Sequence, residues 1–142
     1  MSSSAEKDLN PNTYIGMALP LNAGNNLDFK LTKTSLEQAQ HNLRNLLLTN
    51  KGERIAQPEF GSNLRSICFE PDNEDLPTKI EDEVKKTTET WLPYIQIRNV
   101  ETLTTEIDTN KIIVKVTYST VLNPNTLKAI TIDAGYTADR TY

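Results

Sequence analysis

The sequence contains only one cysteine, Cys68, and one histidine, His41, among its 142 residues. A single cysteine excludes an intrachain disulfide, so we expect folding in a reducing compartment and interpret Cys68 as a small buried apolar residue. Transition-metal sites need clustered His, Cys or carboxylate ligands, so we predict no metal site and interpret His41 as a polar boundary residue of a helix. The chain also lacks a glycine-rich phosphate loop and a dinucleotide fingerprint, and we therefore expect no cofactor.

Basic residues are outnumbered, with 15 Lys and Arg against 19 Asp and Glu and a net charge of −4. Nucleic-acid binders usually carry a basic face that displaces counterions from phosphates, so we expect no nucleic-acid partner. No apolar run approaches the roughly 18 residues of a membrane span. Residues 1–8 also lack the basic-then-apolar order of a signal peptide. We therefore expect a soluble protein with no membrane partner.

Carboxylates are the one catalytic chemistry that the composition leaves open. Glu53, Glu59 and Glu70 share one irregular segment, and glycoside hydrolysis uses two carboxyl groups, one of them a proton donor. Arg54 beside Glu53 favours an ionised carboxylate instead of a proton donor. We name no catalytic residue and predict that the protein is not an enzyme, with a lysozyme-like peptidoglycan hydrolase as the alternative of another class.

Residues 1–33 are predicted to form an N-terminal arm. The first ten residues are polar and are expected to be disordered, whereas residues 11–33 combine helix-breaking Pro, Gly and Asn with many apolar side chains. These apolar residues are Tyr14, Ile15, Met17, Leu19, Leu21, Leu27 and Phe29. We interpret the segment as an extended arm that docks on its own domain or on a neighbouring subunit.

Two helices are predicted after the arm. Thr34 can cap a helix over residues 34–50, where Glu37 completes a capping box and Gly52 can take the left-handed conformation beyond the end. A second helix is predicted over residues 77–91, because proline suits a first turn and Pro93 ends the helix. A short helical turn is expected at residues 64–69.

Strands are predicted at residues 95–104, 111–122 and 127–133, with turns at 108–110 and 123–125. The strand at 111–122 has the clearest alternation, with Val114, Val116 and Tyr118 on one face. Helices followed by strands indicate an α+β fold with an antiparallel sheet. We predict three parts: an arm at 1–33, one α+β domain at 34–135 and a polar tail at 136–142.

The central residues resemble a known family. Leu46-Leu47-Leu48-Thr49, Gly52-Glu53-Arg54, Pro58-Glu59-Phe60-Gly61, Leu64 and Phe69-Glu70-Pro71 follow one another at tight spacing. This pattern resembles the baseplate-wedge, sheath-initiator family of contractile-tailed phages, which has relatives in type VI secretion baseplates. The resemblance extends from about Asn10 to Gly135, and residues 15–20 are similar to arms of large phages of this type.

The resemblance implies a structural protein of the virion, located in the tail baseplate and made in the cytoplasm of the host bacterium. It implies a fold similar to the core of the tail-sheath subunit. Expected partners are the tail-sheath subunit, the baseplate wedge proteins and, as a further candidate, the tail tube. The C-terminal strands are expected to pair with the first sheath ring and template its assembly. A type VI secretion baseplate subunit of the same fold is the alternative.

Three groups of residues are predicted to bind partners. The group in the central loop is Gly52, Glu53, Arg54, Pro58, Phe60 and Gly61, and we expect Arg54 to hold backbone or a partner carboxylate. The second is Leu92-Pro93-Tyr94, where relatives carry Glu-Pro-Arg, so both family charges are missing. The third group, on the C-terminal strands, is Ile113, Lys115, Thr117, Leu127, Ala129 and Thr131. Unpaired strand edges invite another chain's backbone, which supports the third group independently.

Overall fold

The computed structural model of the chain describes residues 4–10, 12–19, 29–70, 75–104 and 112–134. Several predicted features lie outside these residues: the contacts of Leu21 and Leu27, the turn at 108–110, the strand start at 111 and the tail at 136–142. The described elements are α1 (Ser4–Asp8), β1 (Gly16–Met17), β2 (Leu31–Thr32), α2 (Ser35–Leu48), α3 (Leu64–Cys68), α4 (Leu76–Trp91), β3 (Ile95–Thr104), β4 (Ile112–Thr120) and β5 (Lys128–Asp133).

Helix α2 begins at the predicted cap and ends earlier than predicted. Thr34 Oγ1 accepts a hydrogen bond from Glu37 N at 3.2 Å, while the Glu37 carboxylate accepts one from Lys33 N, a residue before the cap. The helix stops at Leu48 because Thr49 turns to extended backbone with ψ of 124°. Gly52 has φ +90°, the left-handed conformation that was predicted, and it lies in a turn beyond the C-cap Thr49.

Helix α4 buries one stripe of residues and carries an ion pair on its other side. Proline lies in its first turn, and its buried residues are Ile80, Val84, Thr87 and Thr88. On the solvent side, Lys85 Nζ lies 2.5 Å from Glu81 Oε1, an i,i+4 pair in the order that the helix dipole favours.

The three C-terminal strands form one antiparallel sheet in the order β3-β4-β5. Val114, Val116 and Tyr118 of β4 are buried, as are Ile130 and Ile132 of β5, so these strands alternate as predicted. Helices α2 and α4 pack on this face. The α+β fold class is therefore confirmed.

The core between helices and sheet contains one unusual polar group. Tyr118 has no exposed surface, and its hydroxyl has no hydrogen-bond partner in the part of the chain that the structure describes. Burial, with a smaller contribution from Tyr94, raises the pKa of Tyr118 to about 12. Burial likewise raises the pKa of the Cys68 thiol to about 11. The Cys68 side chain packs at the margin of the core, which supports its apolar interpretation.

The described part of the arm lies against the domain. Strands β1 and β2 pair with each other, and Leu19 N donates to Nδ1 of His41 on α2 at 3.0 Å. Nearer the N-terminus, where we predicted disorder, Asp8 Oδ1 accepts bonds from both N and Oγ of Ser35, because a carboxylate is favourable at the start of α2. The division into arm, domain and tail remains a prediction.

Helices long and apolar enough to cross a membrane do not occur among the described residues.

Candidate protein-interaction site

The corner loop, residues 50–63, connects α2 to α3 and contains the first predicted group of contacts. Its two ends form a parallel bridge between Asn50 and Ser62. Ser62 donates twice, from N to Thr49 O and from Oγ to Leu47 O, each at 2.8 Å. Farther out, Gly52 N donates to Pro58 O at 2.7 Å and closes the loop on itself. Backbone hydrogen bonds therefore fix the shape of the loop.

Gly61 is the residue that allows the two ends to meet. It is buried and has φ +123°, a conformation that only glycine adopts without strain. A Cβ at this position would overlap the carbonyl oxygen of Thr49 and the backbone of Asn50. The glycine of the Pro-Glu-Phe-Gly motif is thus required by a close backbone approach.

Glu53 and Arg54 each contact residues of the corner loop itself. The Glu53 carboxylate accepts hydrogen bonds from Asn50 N at 3.1 Å and Asn50 Nδ2 at 2.6 Å. The Arg54 guanidinium lies 3.8 Å from the centroid of the Phe60 ring, where it makes a cation–π contact. Phe60 in turn packs edge-on against Trp91, with ring centroids 5.2 Å apart. Arg54 therefore covers an aromatic ring within its own chain.

Glu83 of α4 ties the corner loop to the helix. Its Oε1 accepts a hydrogen bond from Asn63 N at 2.7 Å and lies 3.5 Å from Lys51 Nζ. Sequence reasoning missed this role of Glu83 and the contact of Trp91 with Phe60. The charged residues around Glu83 are typical of a helix face exposed to solvent. No rule of local sequence spacing connects α4 with the loop.

The tip of the loop projects an apolar side chain into solvent. Ile55 is fully exposed at 102%, and residues 56–59 beside it are exposed as well. An apolar side chain on a loop of fixed conformation is suited to insertion into a partner, because little conformational freedom is lost on binding. Ile55 was not among the predicted contacts, because its exposure depends on how the loop closes.

The second predicted group follows α4. Leu92 N donates to Thr88 O and ends the helix, and its side chain packs at the margin of the core. Tyr94 is 39% exposed, and its hydroxyl accepts a hydrogen bond from Asn42 Nδ2 at 2.8 Å. Pro93 is exposed between them. Because Trp91 contacts the corner loop, the structure brings the first two groups together.

The third predicted group shares the outer face of the sheet, opposite the helices. Lys115 pairs across the strands with Thr131, and Thr117 pairs with Ala129, in continuous register. Ile113 follows on the same face of β4, and Lys115 Nζ lies 3.3 Å from Glu101 Oε2 of β3. Leu127 precedes β5 and is 60% exposed.

The two edges of the sheet differ. Strand β3 has an irregularity at Arg98, where the register with β4 shifts between Ile97 and Asn99. Strand β5 has no register shift. Ala134 N donates to Ile112 O, and in an antiparallel ladder the bonded pairs alternate, so the N–H groups of Ala129 and Thr131 point away from β4. Strand β5 therefore offers a regular backbone edge.

The chemistry of the surface offers little for catalysis. Glu53, Glu59 and Glu70 are all exposed, whereas a general acid in glycoside hydrolysis is usually a desolvated carboxyl group. Glu70 lies 3.1 Å from Lys79 Nζ. Among the described residues, no group of three or more potential metal ligands is brought together.

Solved structures similar to this fold come from tail-like particles. The pyocin R2 baseplate after contraction contains a chain with a TM-score of 0.58 and 21% identity, matched over 75% of this chain and 97% of that one. The anti-feeding prophage baseplate contains one with a TM-score of 0.57 and 19% identity, over 82% and 81% of the two chains. At these levels of identity, the two similarities show that the fold is shared and nothing more.

A third structure, from Geobacter sulfurreducens, is described as a candidate tail lysozyme. It has a TM-score of 0.60 and 26% identity, and the match covers 68% of this chain and 86% of that one. No curated protein matches the chain.

The fold is therefore that of small α+β subunits found in the baseplates of contractile tail systems. A sequence model of the family described as "Baseplate wedge protein gp25" matches residues 34–125, and the chain belongs to this family. The family is structural and its context is the baseplate of phage-like particles, so other baseplate subunits are its partners. The matched span contains the corner loop, residues 92–94 and strand β4.

Proposed function

We propose that this baseplate wedge protein templates the first ring of the tail sheath by adding a sheath strand to the outer edge of β5, which pairs with no other strand among the described residues. The observation that carries the proposal is the regular edge itself. The N–H groups of Ala129 and Thr131 point away from β4, and the side chains between the terminal Lys128 and Asp133 are uncharged. Long regular edges are normally blocked by bulges, prolines or charges, so an unblocked one favours strand addition.

The outer face of the sheet supplies further support. A strand added at β5 would extend the row that runs from Glu101 through Lys115 to Thr131. Cross-strand pairs of this kind select the register of an added strand. Ala129 and Leu127 would lie next to the added strand or its flank and would contribute apolar contact, whereas Ile113 and Thr117 lie one strand farther away on the same face.

We assign the corner loop and residues 92–94 to contacts with other wedge subunits. The family's two charges are absent at Leu92 and Tyr94, so binding here depends on apolar packing instead of ion pairing. The exposed Ile55, on a loop held by Arg54 and Phe60, is the strongest apolar group on this side. The tail tube remains a further candidate partner.

The test is binding of the full-length chain to the tail-sheath subunit of the same particle. Thr131→Pro removes one outward N–H of β5 and leaves the bonds of β5 to β4 in place. We expect it to weaken sheath binding strongly, with thermal unfolding close to wild type. Thr131→Val keeps the N–H and should bind normally. Equal binding by all three proteins, with all of them folded, would eliminate strand addition at β5.

We also propose that the protein acts without catalysis, in a phage particle and not in a type VI secretion machine. The exposed glutamates favour the structural role, although a similar protein is described as a candidate tail lysozyme. Clearing of a peptidoglycan suspension, lost on replacing Glu53, Glu59 or Glu70 by Gln, would establish the hydrolase instead. Neighbouring capsid genes would indicate a phage.

A further inference from the structure

The ribbon formed by β1 and β2, residues 14–18 and 29–33, has one face fixed against α2. Thr32 is fully buried there, and Thr32 Oγ1 donates to Gln38 Oε1 at 2.5 Å. Ala18 is only 6% exposed on the same side. With Leu19 bonded to His41 next to it, this face of the ribbon is occupied by its own domain.

The opposite face of the ribbon is apolar and open. Because neighbouring strand residues point to opposite faces, the cross-strand pair Met17 and Leu31 points away from α2. Met17 is 49% exposed and Leu31 40%, and Ile15 and Phe29 on the same face are 37% and 53% exposed. Apolar side chains that cluster on a surface in this way mark interaction sites more often than single exposed ones do.

The border of this face is basic. Lys33 shares this face, and Lys30, which pairs with Ala18, lies at the edge of the ribbon on the side of α2. Glu37 is the acidic residue next to them, and its carboxylate accepts a hydrogen bond from Lys33 N. Both lysines are exposed, and Lys33 Nζ lies 5.5 Å from the centroid of the Tyr14 ring. A partner of complementary chemistry would therefore combine an apolar centre with carboxylates around it.

We propose that the outer face of the ribbon binds another baseplate subunit, through an apolar strip of that subunit bordered by Asp or Glu. A second copy of this chain is disfavoured, since an isologous contact would bring the two lysine borders together. An anionic lipid surface is disfavoured because the chain is acidic overall. The ribbon precedes the span that the family model matches, so this contact is additional to those of the shared domain.

The first experiment adds the full-length chain back to baseplate wedges that are purified without it and measures the affinity. Leu31→Ser should weaken binding about tenfold, and Met17→Ser with Leu31→Ser about a hundredfold, as expected for central apolar contacts. Leu48→Ser is the matched control, because Leu48 is also 40% exposed and lies near the other end of α2. Circular dichroism should show that all variants are folded. Equal affinity of the double variant and wild type would overturn the proposal.

The second experiment tests the charge and the identity of the partner. Lys30→Glu with Lys33→Glu should weaken binding and reverse its salt dependence, whereas Lys86→Glu on α4 should not. A photo-crosslinker at Met17 should label an acidic and apolar segment of a wedge subunit. Labelling of a second copy of this chain would overturn the proposal, as would binding to phosphatidylglycerol vesicles that requires Leu31.

The proposed contact of the ribbon and the proposed templating of sheath at β5 can be tested separately. The contact at the ribbon rests on membership of the baseplate and not on the templating of sheath. A ribbon variant should therefore still bind the sheath subunit, and Thr131→Pro should still enter the wedge. Loss of both activities in the ribbon double variant would show a general defect and would overturn the assignment of the ribbon to a separate partner.

Discussion

The corner loop follows α2 and the ribbon packs on α2. Both expose apolar side chains to solvent, but different contacts fix their conformations. The loop is closed by backbone hydrogen bonds, the Glu53 carboxylate and the stack of Arg54, Phe60 and Trp91. The ribbon is held by a two-residue strand pair and a few polar contacts to α2. The loop belongs to the span that the family model matches, whereas the ribbon does not. Many contacts therefore fix the conformation of the corner loop, whereas few contacts fix that of the ribbon.

The glycines show the same difference. At Gly61 a Cβ would overlap backbone atoms of Thr49 and Asn50, which cannot move without opening the loop. At Gly16 a Cβ would overlap only the end of the Gln38 side chain, which can move away if it gives up its hydrogen bond with Thr32 Oγ1. We therefore expect substitutions in the loop to lower stability more than equivalent substitutions in the ribbon.

The largest effect is expected for Gly61→Ala. Strain at φ +123° and overlap with backbone should together cost about 3 kcal/mol in the free energy of unfolding. Urea denaturation measures this cost. Gly52→Ala is the matched control: φ is +90° but no atom lies within 4 Å of the added Cβ, so about 1 kcal/mol is expected. Equal costs would show that the close approach at Gly61 is unimportant.

The next effect is expected for Phe60→Ala. Loss of the contacts with Arg54 and Trp91 should lower stability by about 2 kcal/mol and change the fluorescence of Trp91. Phe69→Ala, at a 47% exposed phenylalanine outside the stack, should cost about 0.5 kcal/mol. A larger loss for Phe69 than for Phe60 would contradict the idea that the stack holds the loop.

A smaller effect is expected for His41→Ala. The Leu19 N–H loses its acceptor, which should cost about 1 kcal/mol. The amide hydrogen of Leu19 should then exchange faster, while that of Gly52, bonded to Pro58 O, keeps its protection. Faster exchange at both amides would mean that ribbon and loop open together, and the contrast between the two regions would be lost.

For Gly16→Ala we expect about 1 kcal/mol, because the end of the Gln38 side chain must move away from the added Cβ and loses its hydrogen bond with Thr32 Oγ1. Thermal unfolding of this variant beside Gly61→Ala gives the most direct comparison of the two regions. A cost of about 3 kcal/mol at Gly16 would show that the ribbon is held as tightly as the loop.

The smallest effect at neutral pH is expected for Tyr118→Phe, in the core. The hydroxyl has no partner among the described residues, so its removal should change stability by at most about 0.5 kcal/mol. The folded-state pKa of about 12 exceeds the unfolded value of about 10, so this tyrosine reduces wild-type stability as the pH rises from 10 to 12. Urea titrations at pH 7 and 11 should show a smaller decrease for Tyr118→Phe than for wild type.

The sequence predicted the regular elements well because their periodicity is local. The alternation of β4 predicted its two faces, and the capping residue Thr34 predicted where α2 begins. For the partner-binding sites, the sequence predicted three groups of residues but not the contacts that their side chains make within the chain. Arg54 covers Phe60 within its own chain, a contact that the sequence did not predict because it forms only after the loop closes against α4. The expected bond of Arg54 to backbone or a partner carboxylate stays a prediction.

The ribbon shows the other limit of sequence reasoning. Its apolar content predicted that the arm docks, but pairing across the intervening residues decided which side chains face α2. With a two-residue register, a shift by one position would exchange Thr32 for Leu31 on the inner face. Gln38 and His41, which specify the observed register through hydrogen bonds, carry no local pattern that would reveal this role.

The irregularity at Arg98 makes the β3 edge of the sheet different from the β5 edge. Arg98 Nε bonds to Ser119 Oγ and its Nη2 to Gln96 Oε1, so the side chain holds the distortion of β3 in place. A sheet with one distorted edge and one regular edge accepts a further strand on one side only. We therefore expect strand addition at β5 and not at β3, which would prevent copies of the protein from joining edge to edge into an open fibre.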